Sequence, residues 1–305
     1  MKISRQELSV FISVCLLATG FQLASGNQFF NWANLENVAT LSAEVGMVAL
    51  GATMLIIAGE FDLSVGSVFA FAGMIFSLLT TKGGLSGGAS LLVVLALAAV
   101  IGMINGVITL KAKVPSFITT LGSLMIIRGI VLAVSGGWPV AWTEDPSLLM
   151  RALSGNYSIV WWLFFALLTH VILLWTPFGN WLYAVGGNAG AARAVGVRVD
   201  RVKLMAFILS SLFASLAGVM QFSRLSSFSP TYGEGLELEA ITATVIGGTL
   251  LTGGRGAILG TVLGTLLISM VSSGLIAAGV QVYWYRIFVG IILILAVVLN
   301  KKLAP

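Results

Sequence analysis

The chain has 305 residues, of which 58% are hydrophobic and only 9% charged, with a mean hydropathy of +1.04. An ordinary soluble domain carries roughly 25% charged residues, so a water-soluble globule is excluded; it could not hide this much apolar surface. The net charge of +5 comes from cations confined to a few loops, which speaks for membrane topology and against nucleic acid as a partner.

Two spanning architectures exist, helices and closed barrels. Barrel strands alternate apolar and polar residues, whereas Leu91–Ile101 is continuously apolar. The chain therefore reads as an all-α, polytopic membrane protein forming one transmembrane domain over 1–305. Cys15 is the single cysteine, so no intrachain disulfide and no multi-cysteine metal site can form.

Ten spans are predicted, at 8–25, 38–57, 64–80, 89–110, 114–134, 158–176, 203–222, 238–252, 256–275 and 283–300. The first follows a short basic start (Lys2, Arg5). Its apolar part is long and no clean small-x-small cleavage site follows, so it reads as a span and not as a signal peptide. The third and eighth are short or glycine-rich, which predicts helix breaks inside the membrane. With a cytoplasmic N-terminus, Lys2, Arg5, Lys111, Lys113, Arg193, Arg198, Arg201, Lys203, Arg255, Lys301 and Lys302 fall inside. Lys82, Arg151 and Arg224 fall outside, while Arg128 and Arg286 lie within or near span ends. That asymmetry obeys the positive-inside rule and places both termini in the cytoplasm, which requires an even number of spans.

Ala58–Ser67, AGEFDLSVGS, puts Glu60 and Asp62 between apolar runs. Carboxylates at membrane depth are costly and usually functional. The structural alternative, which the spacing favours, places them at the cytoplasmic boundary, with Asp62 or Ser64 capping the next helix and Gly59 and Gly66 permitting a sharp reversal. In 106–122, Lys111 and Lys113 form a tight turn and Pro115 starts the next helix. Thr119, Thr120 and Ser123 then bond within their own helix or line a polar path. Arg128, in the same span, snorkels outward or pairs with a carboxylate. The loop of about 135–157 is the longest exterior segment and holds Trp138, Pro139, Trp142, Glu144, Asp145 and Pro146; its tryptophans fit interfacial anchors. His170, the only histidine, has no acid in its own span to share a proton with.

The stretch 187–203, GNAGAARAVGVRVDRVK, packs Arg193, Arg198, Arg201 and Lys203 between two apolar runs. It is too short for a domain and suits a short cytoplasmic helix pressed against a soluble partner. The run 228–250 carries Glu234, Glu237 and Glu239 ahead of a Thr- and Gly-rich span. Acids at a helix start complement its dipole; alternatively Glu234 and Glu237, with Arg224 nearby, offer charged handles to an exterior partner. Gly256, Gly260 and Gly264 recur every four residues, a spacing that lets helices approach closely. No Gly-x-x-x-x-Gly-Lys-Ser/Thr loop occurs, so the chain has no ATP-binding loop of this kind. No catalytic triad, zinc motif or paired-acid constellation points to an enzyme, and no cofactor is implied.

Together FDLSVGS (61–67), NGVITLKAKVPSFITTLGSLMIIRG (105–129), YAVGGNAGAARAVGV (183–197) and GEGLELEAITATVIGGTLLTGGRGAILGT (233–261) resemble the permease subunits of ribose-type ABC importers, a family that includes branched-chain amino-acid permeases. The resemblance covers about 38–299. It implies a bacterial inner-membrane permease, in a homo- or heterodimer, working with two cytoplasmic ATP-binding subunits and a periplasmic solute-binding protein. It also implies that 180–202 couples to the ATPase, with Gly187, Asn188, Ala192, Arg193, Gly196 and Arg198 as the coupling element. A ribose-like monosaccharide or small polyol would then cross a path of Asn105, Thr119, Thr120, Gln221 and Thr244. Arg224, Glu234 and Glu237 would meet the binding protein. The chain departs from the family at Glu60-Phe61, at Glu239 and at Ala189-Gly190-Ala191. The alternatives are a branched-chain amino-acid permease, a channel, or an ion-coupled transporter, which would need carboxylates near the midplane.

Overall fold

A computed structural model describes residues 5–143, 147–281 and 283–303; Lys2, Glu144, Asp145 and Pro146 lie outside them. The elements are α1 (Arg5–Ala24), α2 (Trp32–Ile57), α3 (Val65–Thr81), α4 (Gly87–Lys111), α5 (Ser116–Ser135), β1 (Val140–Ala141), α6 (Leu148–Leu153), α7 (Asn156–Trp175), α8 (Pro177–Gly187), α9 (Ala189–Ala194), α10 (Val199–Leu225), β2 (Ser227–Phe228), α11 (Leu236–Ile246), α12 (Ile258–Ala277) and α13 (Trp284–Leu303).

Every predicted span falls on a helix, but they are not alike. Among the described residues, six helices are long and apolar enough to cross a membrane, namely α2, α4, α5, α7, α10 and α12. The eighth predicted span, 238–252, needs correcting. Its helix, α11, has 11 residues and is about 16 Å long at 1.5 Å per residue, half of a ~30 Å hydrocarbon core. It stops because Gly248 takes φ +90. The N–H groups of Gly248 and Thr249 then turn back to the Val245 and Thr244 carbonyls, the double bond of a Schellman cap. Gly59 ends α2 in the same way, with φ +81 and N–H bonds from Gly59 and Glu60 to Ile56 and Leu55.

Helix α2 is the hub, buried over nearly its whole length. Close packing around it relies on small residues. A Cβ on Gly51 would meet the Ser210 backbone of α10, and one on Gly102 of α4 would meet the α10 backbone at Phe207 and Ile208. The expected glycine stripe is only partly helical. Gly260 and Gly264 press onto the carbonyls of Gly247 and Ala243 beside α11, but Gly256 precedes α12 and faces Ile57. In contrast, α4, α5 and α7 expose most of their apolar side chains, including Leu92, Met125, Ile126 and Leu167. Such surface is at home in lipid tails and costly in water. The loop between α5 and α7 is not free. Val140 and Ala141 pair antiparallel with Phe228 and Ser227, and the Trp142 N–H donates to the Ser226 carbonyl at 2.8 Å. The tie seats part-buried Trp142 against the core while Trp138 stays exposed.

Candidate functional site

One end of the bundle gathers the end of α2, the turn between α4 and α5, helices α8 and α9, and the starts of α10 and α12. Lys111, Lys113, Arg193, Arg198, Arg201, Lys203 and Arg255 all fall there. Helix α8 begins at Thr176, whose hydroxyl accepts the Gly179 N–H, with Pro177 in the first turn. Asn188 caps α9, its Oδ1 accepting the Ala191 N–H at 2.9 Å. Gly196, at φ +90, closes it through N–H bonds from Gly196 and Val197 to Arg193 and Ala192. Asn188 and Gly196 therefore bracket a six-residue helix that could not stand alone.

Of the predicted coupling residues, Ala192 is buried, whereas Gly187, Asn188, Arg193, Gly196 and Arg198 are exposed. Val195 shows an apolar side chain at 80% exposure between the two arginines. Arg193 reaches Asp200 at 3.0 Å, both well exposed. Arg193, Arg198, Asp200 and Arg201 line a cleft of about 400 Å³.

This element packs closely on two loops that are bonded to each other. The Gly254 N–H donates to the Ile57 carbonyl at 2.9 Å. A Cβ on Gly186 would strike the Ile57 carbonyl and Gly254 N; one on Gly253 would meet Gly59, and one on Gly254 would meet Gly187. Tyr183 donates to the Gly256 carbonyl at 2.9 Å. Burial pushes its hydroxyl above the usual tyrosine range, so it remains a donor.

Two of the five predicted path residues meet at the first break, 58–64. Thr120 Oγ1 accepts the Leu63 N–H at 3.0 Å, and Asn105 Nδ2 donates to Ser64 Oγ at 2.9 Å. Ser64 in turn donates its hydroxyl and its N–H to Asp62 Oδ1, at 2.5 and 2.8 Å. The expected cap is thus reversed in part: Asp62 accepts from Ser64, while the Ser64 side chain makes no cap bond to α3. Asp62 is 5% exposed, and its Oδ2 has no hydrogen-bond partner. Thr119 Oγ1 is likewise buried and unpartnered. Thr244 bonds its own helix at the Ile241 carbonyl. Gln221 lies elsewhere, its side-chain Nε2 donating to Glu44 Oε2 at 3.5 Å.

A second break approaches from the opposite end. After α10 the chain turns at Ser226 and descends between α3 and α5. Arg128 Nη1 donates to the carbonyls of Pro230 and Tyr232, each at 2.9 Å. Gly233 and the Glu237 carboxylate lie against Gly66, where a Cβ has no room. The starts of α3 and α11 therefore converge at depth. Glu234 is exposed and Glu237 part-buried. Arg224 is held by Glu44 through two bonds, at 2.7 and 3.0 Å. Glu44 was not singled out from the sequence, although a lone acid inside a long apolar run is a signal in itself. Ser116 was missed as well. Among the described residues no group of three or more His, Cys, Asp or Glu could hold a metal ion.

Residues 34–297 match a family profile described as branched-chain amino acid transport system / permease component. Ribose import permease protein RbsC of Escherichia coli K12 is 37% identical over 284 residues, covering 90% of this chain and 87% of its own. Xylose/arabinose import permease protein XylH of Sulfolobus acidocaldarius is 35% identical, covering 98% and 85%. Autoinducer 2 import system permease protein LsrC of Photorhabdus laumondii is 30% identical, covering 98% and 90%. No solved structure matches the chain. A bundle of apolar helices with two internal breaks, a short helix pair followed by a basic stretch, and these relatives lead to one assignment: the chain belongs to the branched-chain amino acid transport system permease-component family and is a multi-pass permease subunit of the ABC importer class.

Proposed function

We propose that the chain forms the translocation path for a monosaccharide or small polyol of ribose type, delivered by a periplasmic binding protein and driven by ATP hydrolysis in a separate cytoplasmic subunit. It lies in the bacterial inner membrane as a multi-pass subunit, with both termini inside, and pairs with a second permease chain. Segment 180–202 docks on the ATPase through Gly187, Asn188, Ala192, Arg193, Gly196 and Arg198. Asn105, Thr119, Thr120, Gln221 and Thr244 contribute the polar path. Glu234 offers an exterior handle to the binding protein, with Arg224 and Glu237 shaping the surface behind it.

The observation that carries this reading is the capped, basic helix α9, with Val195 and Arg193 exposed at its tip and its base packed closely on two loops. A projecting basic and apolar knob on a rigid base fits a partner that pushes. The names of the relatives, ribose and xylose/arabinose import permeases, support a sugar over a branched-chain amino acid. The test is uptake of labelled ribose and xylose by proteoliposomes holding the permease, its ATPase and its binding protein. Accumulation should require ATP, and Arg193→Glu should abolish it while the protein still inserts. Accumulation by the permease alone, without nucleotide, overturns the proposal.

A further inference from the structure

The first break, 58–64, is gripped from three directions. On one side it meets α10: Glu60 Oε1 accepts from Lys203 Nζ at 2.5 Å, the two side chains 13% and 15% exposed. Its main chain faces α5: the N–H groups of Phe61 and Leu63 donate to Ser116 Oγ at 3.1 Å and Thr120 Oγ1 at 3.0 Å. Its root, Ile57, is bonded to Gly254. Helix α10 follows α9 after only four residues, 195–198, so any displacement of the short helix pair reaches Lys203 about one turn into α10.

Two ion pairs flank that start, and they differ in kind. Arg193–Asp200 is exposed at 63% and 70%; such pairs are weak and readily exchanged for a partner's charges. Lys203–Glu60 is largely shielded from solvent, where salt screens little and breaking one partner leaves a charge uncompensated. The exposed pair is the one a docking protein can re-pair. The shielded pair is the one that holds while it does so.

Resting on the reading of α8 and α9 as the ATPase dock, we infer that Glu60 is a positioning residue for the energised step: through Lys203 it makes the α2–α3 loop follow α10, and through Ser116 and Thr120 that loop moves the start of α5, where Thr119 and Thr120 stand.

The experiment compares Glu60→Lys, Lys203→Glu and the double reversal E60K/K203E in the full complex, with labelled ribose as the probe and Glu60→Gln as a milder variant. Each is read for ATPase subunit retained on purification, ATP hydrolysed, and ribose taken up per ATP. The single reversals should keep the ATPase subunit bound and hydrolysing but lower ribose per ATP roughly tenfold, and the double reversal should recover most of it. Single variants that transport normally, or a double variant no better than the worse single one, overturn the relay. Should the single reversals fail to assemble, Glu60→Gln decides: ribose per ATP must fall at wild-type ATPase retention, and an unchanged ratio overturns the relay. Arg193→Glu, measured alongside, separates the two ideas. Loss of the ATPase subunit in that variant with normal Glu60 variants sinks only the relay, whereas retention with normal uptake sinks the docking reading itself.

Discussion

Arg224 clamps Glu44 with two donors, Nε to Oε1 at 2.7 Å and Nη2 to Oε2 at 3.0 Å. The pair joins the end of α10 to the middle of the hub helix, across 180 residues of sequence. Glu44 is 6% exposed and Arg224 23%, so the carboxylate has almost no other partner within reach. Removing one leaves the other stranded, at a cost of about 3–5 kcal/mol. Arg224→Ala should therefore lower the melting temperature of the detergent-solubilised protein sharply. The paired replacement E44Q/R224M should recover much of the loss; a double variant as unstable as the single one would show that the charge itself is not the issue.

Gly186 and Gly187 are adjacent but differ in their surroundings. A methyl on Gly186 meets the Ile57 carbonyl and Gly254 N, while nothing lies within 4 Å of one on Gly187. Gly186→Ala should destabilise the protein by about 1–3 kcal/mol, as overpacking does, and Gly187→Ala should be near neutral. Thermal melts of the two variants side by side check this.

Thr120 Oγ1 is the acceptor for the buried Leu63 N–H. Thr120→Val keeps the shape and removes the acceptor, which costs about 1–3 kcal/mol for the orphaned donor. Thr120→Ser keeps the acceptor and should retain most of the stability. Equal melting temperatures for the two would contradict the bond.

Arg128 pins the second break by two charge-assisted bonds, each worth about 1.5–3 kcal/mol. With Arg128→Ala the 229–231 stretch should open more often. In a Cys15→Ser background, a cysteine placed at Thr231 should then react at least several-fold faster with an impermeant maleimide. No change in rate would mean that other contacts hold the segment.

Much of the helical layout was legible because apolar runs near twenty residues have few folded solutions. The small helix α9 was also readable: Asn188 and Gly196 are the residue types its two caps demand. Less was visible at α11, where Gly247-Gly248 marks a helix end yet sits inside a run apolar enough to look like a complete span. Partnerships were not visible at all. Asn105 and Thr120 stand out as polar residues in apolar helices, but nothing local says that both grip 58–64. Glu44 and Arg224 find each other only once α2 and α10 lie antiparallel, and no periodicity encodes that pairing.

Where Gly59, Gly186, Gly187, Gly253 and Gly254 meet, peptide groups rest on peptide groups. A joint of that kind has no rotamers to flip and no flexible stems to bend, so it has little slack. A shove applied at the tip of the knob arrives at the neighbouring loops undamped, as through a welded bracket. Stiffness of this sort tolerates little added bulk: a methyl group on Gly186, Gly253 or Gly254 has nowhere to go but into the facing main chain.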